Sequence, residues 1–251
     1  RPEATGYGAV YLAEEIFKAH GDSLERKACL VSGSGNVAQY TIEKLIDLGA
    51  KPISCSDSSG MIVDPEGFTR EKLALLMELK NVKRARLQSY AERVSTATFT
   101  PHDPMRATNP LWGTTGAHCA FPCATQNEIR EADAENLIRN GVKLVCEGAN
   151  MPCEPSAIER FIGAKVHFAP GKAANAGGVA TSGMEMTQNA MRVSWTREEV
   201  DQRLRRIMHD IHDQCASAAE EFGQPGNYLF GANVAGFHKV AQAMLDQGIH
   251  G

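Results

Sequence analysis

The sequence has no long apolar run and no marked excess of charge of either sign. No stretch comes near the roughly 20 apolar residues that a membrane-spanning helix requires, so we expect no membrane partner. The 251 residues contain 26 Lys and Arg against 30 Asp and Glu. The resulting net charge of −4 offers no basic surface of the kind that binds nucleic acid, and we expect no nucleic-acid partner.

The cysteines lack the spacing of a zinc knuckle or a redox motif. There are seven, an odd number, and no pair has the two intervening residues of such a motif; Cys119 and Cys123 are four apart. Cys29, Cys55 and Cys146 lie within or at the end of apolar, strand-like runs. We therefore expect reduced and mostly buried thiols, no metal site, and a cytoplasmic location.

Two glycines follow directly on a short apolar run. Residues 28–31 form a predicted buried parallel strand, and Gly33 and Gly35 permit a tight turn without β-carbons that would keep a diphosphate away from the backbone. From residue 36 to residue 48 the apolar residues recur at helical spacing, and Gly49 supplies a stop. The free N–H groups and the positive dipole end of that helix would face the diphosphate.

An acidic residue follows at the distance typical of a dinucleotide-binding unit. A second predicted strand, residues 52–56, leads to Asp57, which lies 22 residues after Gly35. The ribose-binding acid of such a unit lies about 20 residues beyond its glycines. A Gly-x-Gly-x-x-Ala string alone is also found in ordinary glycine turns, but strand, glycines, helix, strand and acid in this order favour dinucleotide binding.

Strand and helix patterns alternate along most of the chain. The other predicted helices cover residues 3–19, 69–80 and 154–161, and the other predicted strands begin at residues 61, 120, 142 and 165. After residue 175 the pattern is helical, and Thr196 with Glu199 forms a capping box that opens a helix to about residue 221, before a final helix over 231–245. We predict an α/β fold: a Rossmann-like, doubly wound, mostly parallel sheet with helices on both faces and a C-terminal helical extension. Residues 1–195 form the predicted dinucleotide-binding domain with its leading helix, and the helices of residues 196–251 pack back on it.

Several candidate residues lie where predicted strands end. Gly33, Asp57, Thr125, Asn150 and the loop after residue 168 all occupy such positions. Because ligands of open parallel sheets lie beyond the strand C-termini, we expect one shared site there.

Three other patterns carry weaker arguments. His209 and His212 share a helical face, but two imidazoles without a third ligand are typical of a solvated surface. Lys172 follows Pro170-Gly171, yet the sequence lacks the further residues of a nucleotide P-loop. Residues 100–116 are rich in Pro, Gly, Thr and Asn and predict a surface loop.

The chain resembles the coenzyme-binding domain of the hexameric glutamate dehydrogenases, and is most similar to the NADP-dependent type. The matching strings are Arg1-Pro-Glu-Ala-Thr5-Gly-Tyr-Gly, Ser32-Gly-Ser-Gly-Asn-Val-Ala38, Ser56-Asp-Ser-Ser-Gly60, Pro122-Cys-Ala-Thr-Gln-Asn-Glu128, Glu147-Gly-Ala-Asn-Met-Pro152 and Ala169-Pro-Gly-Lys-Ala-Ala-Asn-Ala-Gly-Gly-Val-Ala-Thr-Ser-Gly183. They span nearly the entire chain in the family's order, and jointly they are highly specific.

The resemblance implies reversible oxidative deamination of L-glutamate to 2-oxoglutarate and ammonia, with a hydride passing to or from the nicotinamide. It assigns the pyrophosphate to Gly33, Ser34, Gly35, Asn36 and Val37. Thr5 and Asn150 would contact the nicotinamide carboxamide region, Asn175 would lie on the nicotinamide ribose side, and Thr125 and Gln126 belong to the same coenzyme site. Val179 and Ser182 would contact the substrate, Ser182 by a hydrogen bond to its distal carboxylate.

The choice of coenzyme depends on the residues around Asp57. An acid at this position favours the free ribose hydroxyl of NAD and repels a 2′-phosphate. Against that, Ser34 is small, Ser58 can donate a hydrogen bond to a phosphate, and Lys80 and Arg86 match basic positions that face the extra phosphate in NADP-dependent relatives. Because charge-assisted hydrogen bonds outweigh one repulsive carboxylate, we predict NADP rather than NAD.

The sequence departs from the family in two places and lacks one part of it. His118 stands where relatives usually have an acid, and the loop at residues 101–116 is longer than in bacterial relatives. In this family the catalytic lysine and the proton-shuttling acid belong to an N-terminal substrate domain, and the chain has no Gly-Gly-Lys-Gly string. We therefore expect a fragment with no catalytic residue of its own, inactive alone and part of a homo-hexamer when full length.

Two alternatives remain at this point. One is a dehydrogenase of another amino acid, such as leucine or phenylalanine, although an apolar substrate would leave the hydroxyl of Ser182 unpaired. The other is a nucleotide-binding module that performs no chemistry.

Overall fold

A computed structural model of the chain describes residues 1–248. Its strands are β1 (Ala28–Val31), β2 (Lys51–Pro52), β3 (Ser54–Asp57), β4 (Gly60–Val63), β5 (Thr98–Pro101), β6 (Cys119–Phe121), β7 (Leu144–Cys146) and β8 (His167–Ala169). Its helices are α1 (Ala4–Ala19), α2 (Asn36–Asp47), α3 (Arg70–Met77), α4 (Gln88–Ala91), α5 (Glu131–Arg139), α6 (Pro155–Gly163), α7 (Gly171–Ala174), α8 (Ala176–Met191), α9 (Arg197–Glu221) and α10 (Tyr228–Gln247).

Five strands form a parallel sheet in the order β2-β1-β6-β7-β8. From β1 the chain first crosses to β2 on one side and later returns to β6 on the other. The strand order therefore reverses between β1 and β6, and a crevice for a ligand opens at the C-terminal ends of these two strands. The predicted doubly wound, mostly parallel sheet is confirmed.

The sheet is covered on both faces because its strands alternate between two apolar cores. Cys29 and Val31 of β1 pack in the core beneath α1 and α2, whereas Leu30 packs in the core beneath α5 and α6. The same alternation recurs in β6, where Ala120 joins the second core while its neighbours join the first. Strands buried on both faces are typical of parallel sheets between helices.

The prediction of one continuous strand over residues 52–56 is wrong, because the structure divides this segment between β2 and β3. Only β2 extends the parallel sheet; the chain then turns into β3, which pairs antiparallel with β4, and β4 pairs antiparallel with β5. Serine side chains contribute to the link with β1 and the turn after it, since Val31 N donates to Ser54 Oγ at 2.9 Å and Gly33 N donates to Ser56 Oγ at 2.8 Å. Asp57 is consequently the last residue of β3 in the small sheet.

The predicted helix over residues 69–80 ends early, and the predicted surface loop is partly structured. After α3, residues Glu78–Val82 form a π-helical turn that carries Lys80. The loop begins within β5 and later forms a 3₁₀ turn whose Leu111 and Trp112 are fully buried. His118 has a backbone role, because its Nδ1 accepts the N–H of Ala28 at 3.1 Å where β1 begins.

Helix α9 packs on α1, and α10 packs in turn on α9. The predicted capping box is confirmed: Thr196 Oγ1 accepts the N–H of Glu199, and the Glu199 carboxylate accepts the N–H of Thr196. The hydroxyl of Tyr11 donates to Asp201 at 2.7 Å, which ties α9 to α1. Residues 249–251 of the predicted C-terminal unit, 196–251, lie outside the described residues. Within residues 1–248, no helix combines the length and the apolar character needed to cross a bilayer.

The expected solvated face of α9 holds only one of its two histidines. His209 is exposed beside Glu15, but His212 is buried, with Asp213 3.0 Å from its Nδ1 and the hydroxyl of Tyr228 3.3 Å from its Nε2. His212 is thus a satisfied core residue between α9 and α10. No group of three or more metal-ligating side chains lies together among residues 1–248, and all seven cysteines are free and buried.

Candidate functional site

The glycine turn after β1 requires glycine at its first position and leaves open space at its second. Gly33 has a φ of +79°, and a β-carbon there would lie 2.9 Å from the carbonyl oxygen of Cys123. At Gly35, the N-cap of α2, an added β-carbon would meet nothing within 4 Å. Because the first N–H groups of a helix have no partner within it, the start of α2 presents free donors and a positive dipole end to this space.

A groove of about 880 Å³ lies in front of this turn, at the reversal of strand order. The predicted coenzyme residues that line it are Gly33, Ser34, Gly35, Asn36, Val37, Asp57, Ser58 and Thr125. Its opposite wall comes from the loop after β5, with His102, Asp103 and Arg106. The size and the mixed lining suit a nucleotide rather than a purely apolar ligand.

Asp57 forms one end of the groove with its carboxylate saturated by donors. Only 8% of its side chain is exposed. Oδ1 accepts the N–H and the hydroxyl of Ser59, and Oδ2 accepts from Lys80 Nζ and from the N–H of Leu87. Burial disfavours the charged form, but the hydrogen bonds from Lys80 and Ser59 outweigh it and hold the pKa of Asp57 below its usual value. The carboxylate is therefore ionised and neutralised within the protein.

Lys80 and Arg86 do not line the groove themselves, but each contacts a residue that does. Lys80 pairs with Asp57, and Arg86 donates from Nη1 to the hydroxyl of Ser58 at 2.7 Å. The structure thus brings together four of the five side chains that entered the prediction of coenzyme choice, namely Asp57, Ser58, Lys80 and Arg86. Gln126, by contrast, is exposed and lies outside the groove lining.

The remaining predicted residues gather at the ends of β7 and β8. Asn175 Nδ2 donates to Asn150 Oδ1 at 2.7 Å and to the carbonyl of Ala149 at 3.3 Å. Thr5, in the first turn of α1, packs against Gly178 of α8 so closely that any side chain at 178 would collide with its hydroxyl.

The two predicted substrate residues lie one turn apart on α8. Val179 is 73% exposed. The hydroxyl of Ser182 accepts a hydrogen bond from Arg1 Nε at 2.8 Å and donates to the carbonyl of Gly178 at 3.2 Å. An arginine beside a serine hydroxyl is a suitable pair of donors for a carboxylate.

Two carboxylates that the sequence reasoning missed hold the loops of the site; Glu147 is buried and Glu128 is partly exposed. Glu147, after β7, accepts the N–H groups of Cys153 and Gly171, and Glu128, after β6, accepts those of Ala124 and Thr125. Burial raises the pKa of both carboxyls, and that of Glu128 to about 7. Their only signal in the sequence is that each is an acid in a polar string at a predicted strand end.

Comparison with known proteins decides the family. The profile described as glutamate/leucine/phenylalanine/valine dehydrogenase matches residues 1–248. The chain belongs to this dehydrogenase family.

Similar members of the dehydrogenase family are glutamate dehydrogenases by name. The NAD(P)-specific glutamate dehydrogenase of Xylanibacter ruminicola is 59% identical over 250 residues, which cover 100% of this chain and 54% of that protein. The NADP-specific enzyme of Haemophilus influenzae is 55% identical over 251 residues, with the same coverage. The crystal structure of Plasmodium falciparum glutamate dehydrogenase has a TM-score of 0.94 at 44% identity, covering 100% of this chain and 52% of that one. The chain therefore spans about half the length of the relatives that it matches.

Proposed function

We propose that this chain is the coenzyme-binding part of an NADP-dependent glutamate dehydrogenase. The observation that carries the proposal is the open space in front of Gly35, where the free N–H groups at the start of α2 face a groove at the reversal of strand order. The names of the similar relatives supply the amino acid and the coenzyme, since several are NADP-specific glutamate dehydrogenases.

The groove fits a dinucleotide in one direction. The turn from Gly33 to Val37 binds the pyrophosphate, and the adenosine ribose lies toward Asp57 and Ser58. Lys80 neutralises the charge of Asp57. Ser58 and Arg86 then present donors to a 2′-phosphate, which favours NADP over NAD.

The nicotinamide end of the coenzyme lies toward the paired amides of Asn150 and Asn175, close to Thr5. When bound, the nicotinamide supplies the hydride acceptor or donor for the reaction. On α8, Val179 and Ser182 face the substrate, and the Arg1–Ser182 pair receives the distal carboxylate of glutamate or 2-oxoglutarate. A polar pair at this position favours glutamate over leucine or phenylalanine, whose side chains would leave it unpaired.

The residues that abstract and return protons belong to the part of the longer protein that this chain does not contain. This chain binds and orients the coenzyme and one end of the substrate, with residues 1–195 forming the coenzyme-binding domain and the helices after residue 196 its support. We therefore propose that oxidative deamination to 2-oxoglutarate and ammonia, or its reverse, is an activity of the full-length protein.

The full-length protein is a proposed homo-hexamer in the cytoplasm. The second half of α10 supports association, because Phe237, Val240, Met244 and Leu245 are all exposed apolar residues along it. Seven free cysteines support a reducing compartment. Sedimentation of the full-length protein tests the assembly.

Calorimetric titration of this chain with NADPH and with NADH tests the proposal. We expect NADPH to bind at least tenfold more tightly than NADH, and no turnover with 2-oxoglutarate and ammonia. Binding of neither nucleotide would overturn the coenzyme proposal, and equal affinities would overturn the preference for NADP. Turnover by this chain alone would contradict the assignment of the proton-transfer residues to the rest of the protein. On the full-length protein, faster turnover of leucine than of glutamate would favour the alternative amino-acid substrate.

A further inference from the structure

Three consecutive N–H groups after β6 are bound by side chains. Cys123 N donates to Ser32 Oγ at 2.8 Å, and the N–H groups of Ala124 and Thr125 donate to Glu128 Oε1 at 3.0 and 3.3 Å. These amides are occupied, so they are not the donors that receive a phosphate. Their geometry instead fixes the Glu128 carboxylate in the wall of the groove.

This carboxylate lies close to the glycine turn. A β-carbon on Gly33 would be 3.2 Å from the α-carbon of Ala124, so the turn after β1 and the turn after β6 are in contact. Glu128 is one hydrogen bond beyond Ala124, and it lines the same groove as Gly33 and Gly35. An anion on the glycine turn is therefore a near neighbour of the Glu128 carboxylate.

Glu128 has no basic partner in the part of the chain that the structure describes. The basic side chains of the groove wall are directed to other acids: Arg106 Nε lies 3.6 Å from Asp103, and Arg130 Nε lies 3.8 Å from Glu154. The other titratable or charged side chains near Glu128 or in its groove are Asp57, His102, Cys123, Asp133 and Cys153. The nearest acid, Asp133, adds negative charge.

Protonation of a carboxylate removes its repulsion of an anion bound beside it. Building on the proposed coenzyme function, we propose that Glu128 takes up a proton from solvent when the coenzyme binds, so that the groove receives the pyrophosphate without a second negative charge beside it. The proton adds to a carboxylate oxygen, no other bond changes, and its source is the buffer.

The protonation equilibrium of Glu128 supports this proposal. Burial raises the pKa of its carboxyl to about 7. The charge of Asp133 also raises this pKa, whereas the hydrogen bonds from Ser32, Ala124 and Thr125 lower it. Coenzyme phosphates would raise that pKa further, because like charges disfavour ionisation. By linkage, the Kd for coenzyme rises with pH above 7, by up to about tenfold per unit, until the pKa of the bound state is passed.

Titrating this chain with NADPH between pH 6 and pH 9, in buffers of different ionisation heat, measures both the Kd and the number of protons taken up. The 2′-phosphate of NADPH has its own ionisation near pH 6, so the informative quantity is the difference between the wild type and Glu128→Gln. We expect the wild type to take up about half a proton more than the variant at pH 7.5. The ratio of the two Kd values should grow from near one at pH 6 to about ten at pH 8.5.

Controls locate the proton. Glu131→Gln removes an exposed carboxylate of α5 that pairs with Arg160, and it should retain the wild-type uptake, as should His102→Gln. Should Glu128→Gln fail to fold, NADH with the wild type gives the second measurement, because NADH lacks the titrating phosphate and should still drive proton uptake.

The outcomes separate the two proposals. If NADPH binds with no proton uptake beyond that of Glu128→Gln, or if uptake disappears in His102→Gln instead, the role of Glu128 is wrong while the coenzyme proposal stands. If neither nucleotide binds, the proposed function fails and this inference fails with it.

Discussion

Lys80 lies against Asp57, with its Nζ 2.8 Å from Oδ2 and 3.1 Å from the carbonyl oxygen of Ala85. The lysine therefore joins the π-helical turn after α3 to the end of β3. The Lys80 ammonium pairs with Asp57 inside the wall of the groove. Its expected effect on coenzyme choice is therefore to cancel the negative charge of Asp57, which would otherwise repel a 2′-phosphate. In the proposed complex, direct contact with a 2′-phosphate would fall to Arg86 and Ser58.

Replacing Lys80 with Met should destabilise the chain by about 2–3 kcal/mol. Removing one partner of a largely buried ion pair is costly, and the loss is moderated here because Ser59 and Leu87 still donate to Asp57. Urea unfolding at pH 7 measures the change in the free energy of unfolding. Lys83→Met is the matched control, since Lys83 pairs with Glu78 on the exposed surface and should cost less than about 1 kcal/mol. Equal losses in the two variants would contradict a structural role for Lys80.

Arg86→Ala should weaken NADPH binding and leave NADH binding almost unchanged. A charge-assisted hydrogen bond contributes about 1.5–3 kcal/mol, which corresponds to a loss of about 10- to 100-fold in NADPH affinity. Calorimetry with both nucleotides gives the ratio. Arg84→Ala removes an exposed arginine from the same loop and should change neither affinity. A parallel loss for NADH would show that Arg86 supports the loop rather than recognising the extra phosphate.

The sequence predicted elements well where the signal is local. The bounds of β1 were predicted to the residue, because an apolar run followed by glycines marks both the strand and its end, and the cap at Thr196 rests on two side chains three residues apart. The break after Pro52 was missed because β3 is joined to β1 and to the turn after it partly by the side chains of Ser54 and Ser56, and bonds between residues 23 apart leave no local pattern in the sequence.

The site was predicted only in part for the same reason. Glycines and the acid have fixed spacing along the chain, so the glycine turn and Asp57, which line the groove, could be located from sequence. The wall formed by His102 and Arg106 depends on how the loop after β5 returns over the sheet, and the roles of Glu128 and Glu147 depend on amides that only the fold brings to them. His212, buried against Tyr228, was misjudged because helical periodicity does not report which helix packs above.

Substitutions at the two glycines should separate folding from binding. Gly33→Ala places a side chain at positive φ against Cys123 and should cost about 1–3 kcal/mol of stability. At Gly35 an added β-carbon has no protein atom within 4 Å and the φ of −86° suits any residue, so we expect Gly35→Val to stay folded while its side chain fills the space in front of the turn and lowers NADPH affinity at least tenfold. Thermal unfolding and calorimetry on each variant check this. Unchanged binding in Gly35→Val would place the pyrophosphate elsewhere.

Glu147→Gln should reduce stability, and the reduction should depend on pH. The glutamine keeps one acceptor oxygen, so the N–H of Cys153 or of Gly171 loses its partner, at a cost of about 1–3 kcal/mol. Burial raises the pKa of Glu147 in the folded chain, so the folded state holds this proton more tightly than the unfolded state does. The wild type therefore loses stability as pH rises above the unfolded value of about 4.3, whereas the variant does not.

The difference between wild type and Glu147→Gln should accordingly be larger at pH 5 than at pH 7.5 in urea unfolding. Glu159→Ala, at an exposed position of α6, should change stability by less than about 0.5 kcal/mol at both pH values. A difference that grows with pH instead would mean that the two N–H donors, and not burial, dominate the ionisation of Glu147. In that case the carboxylate would be charged in the folded chain and would hold the loop of Asn150 chiefly by charge-assisted hydrogen bonds.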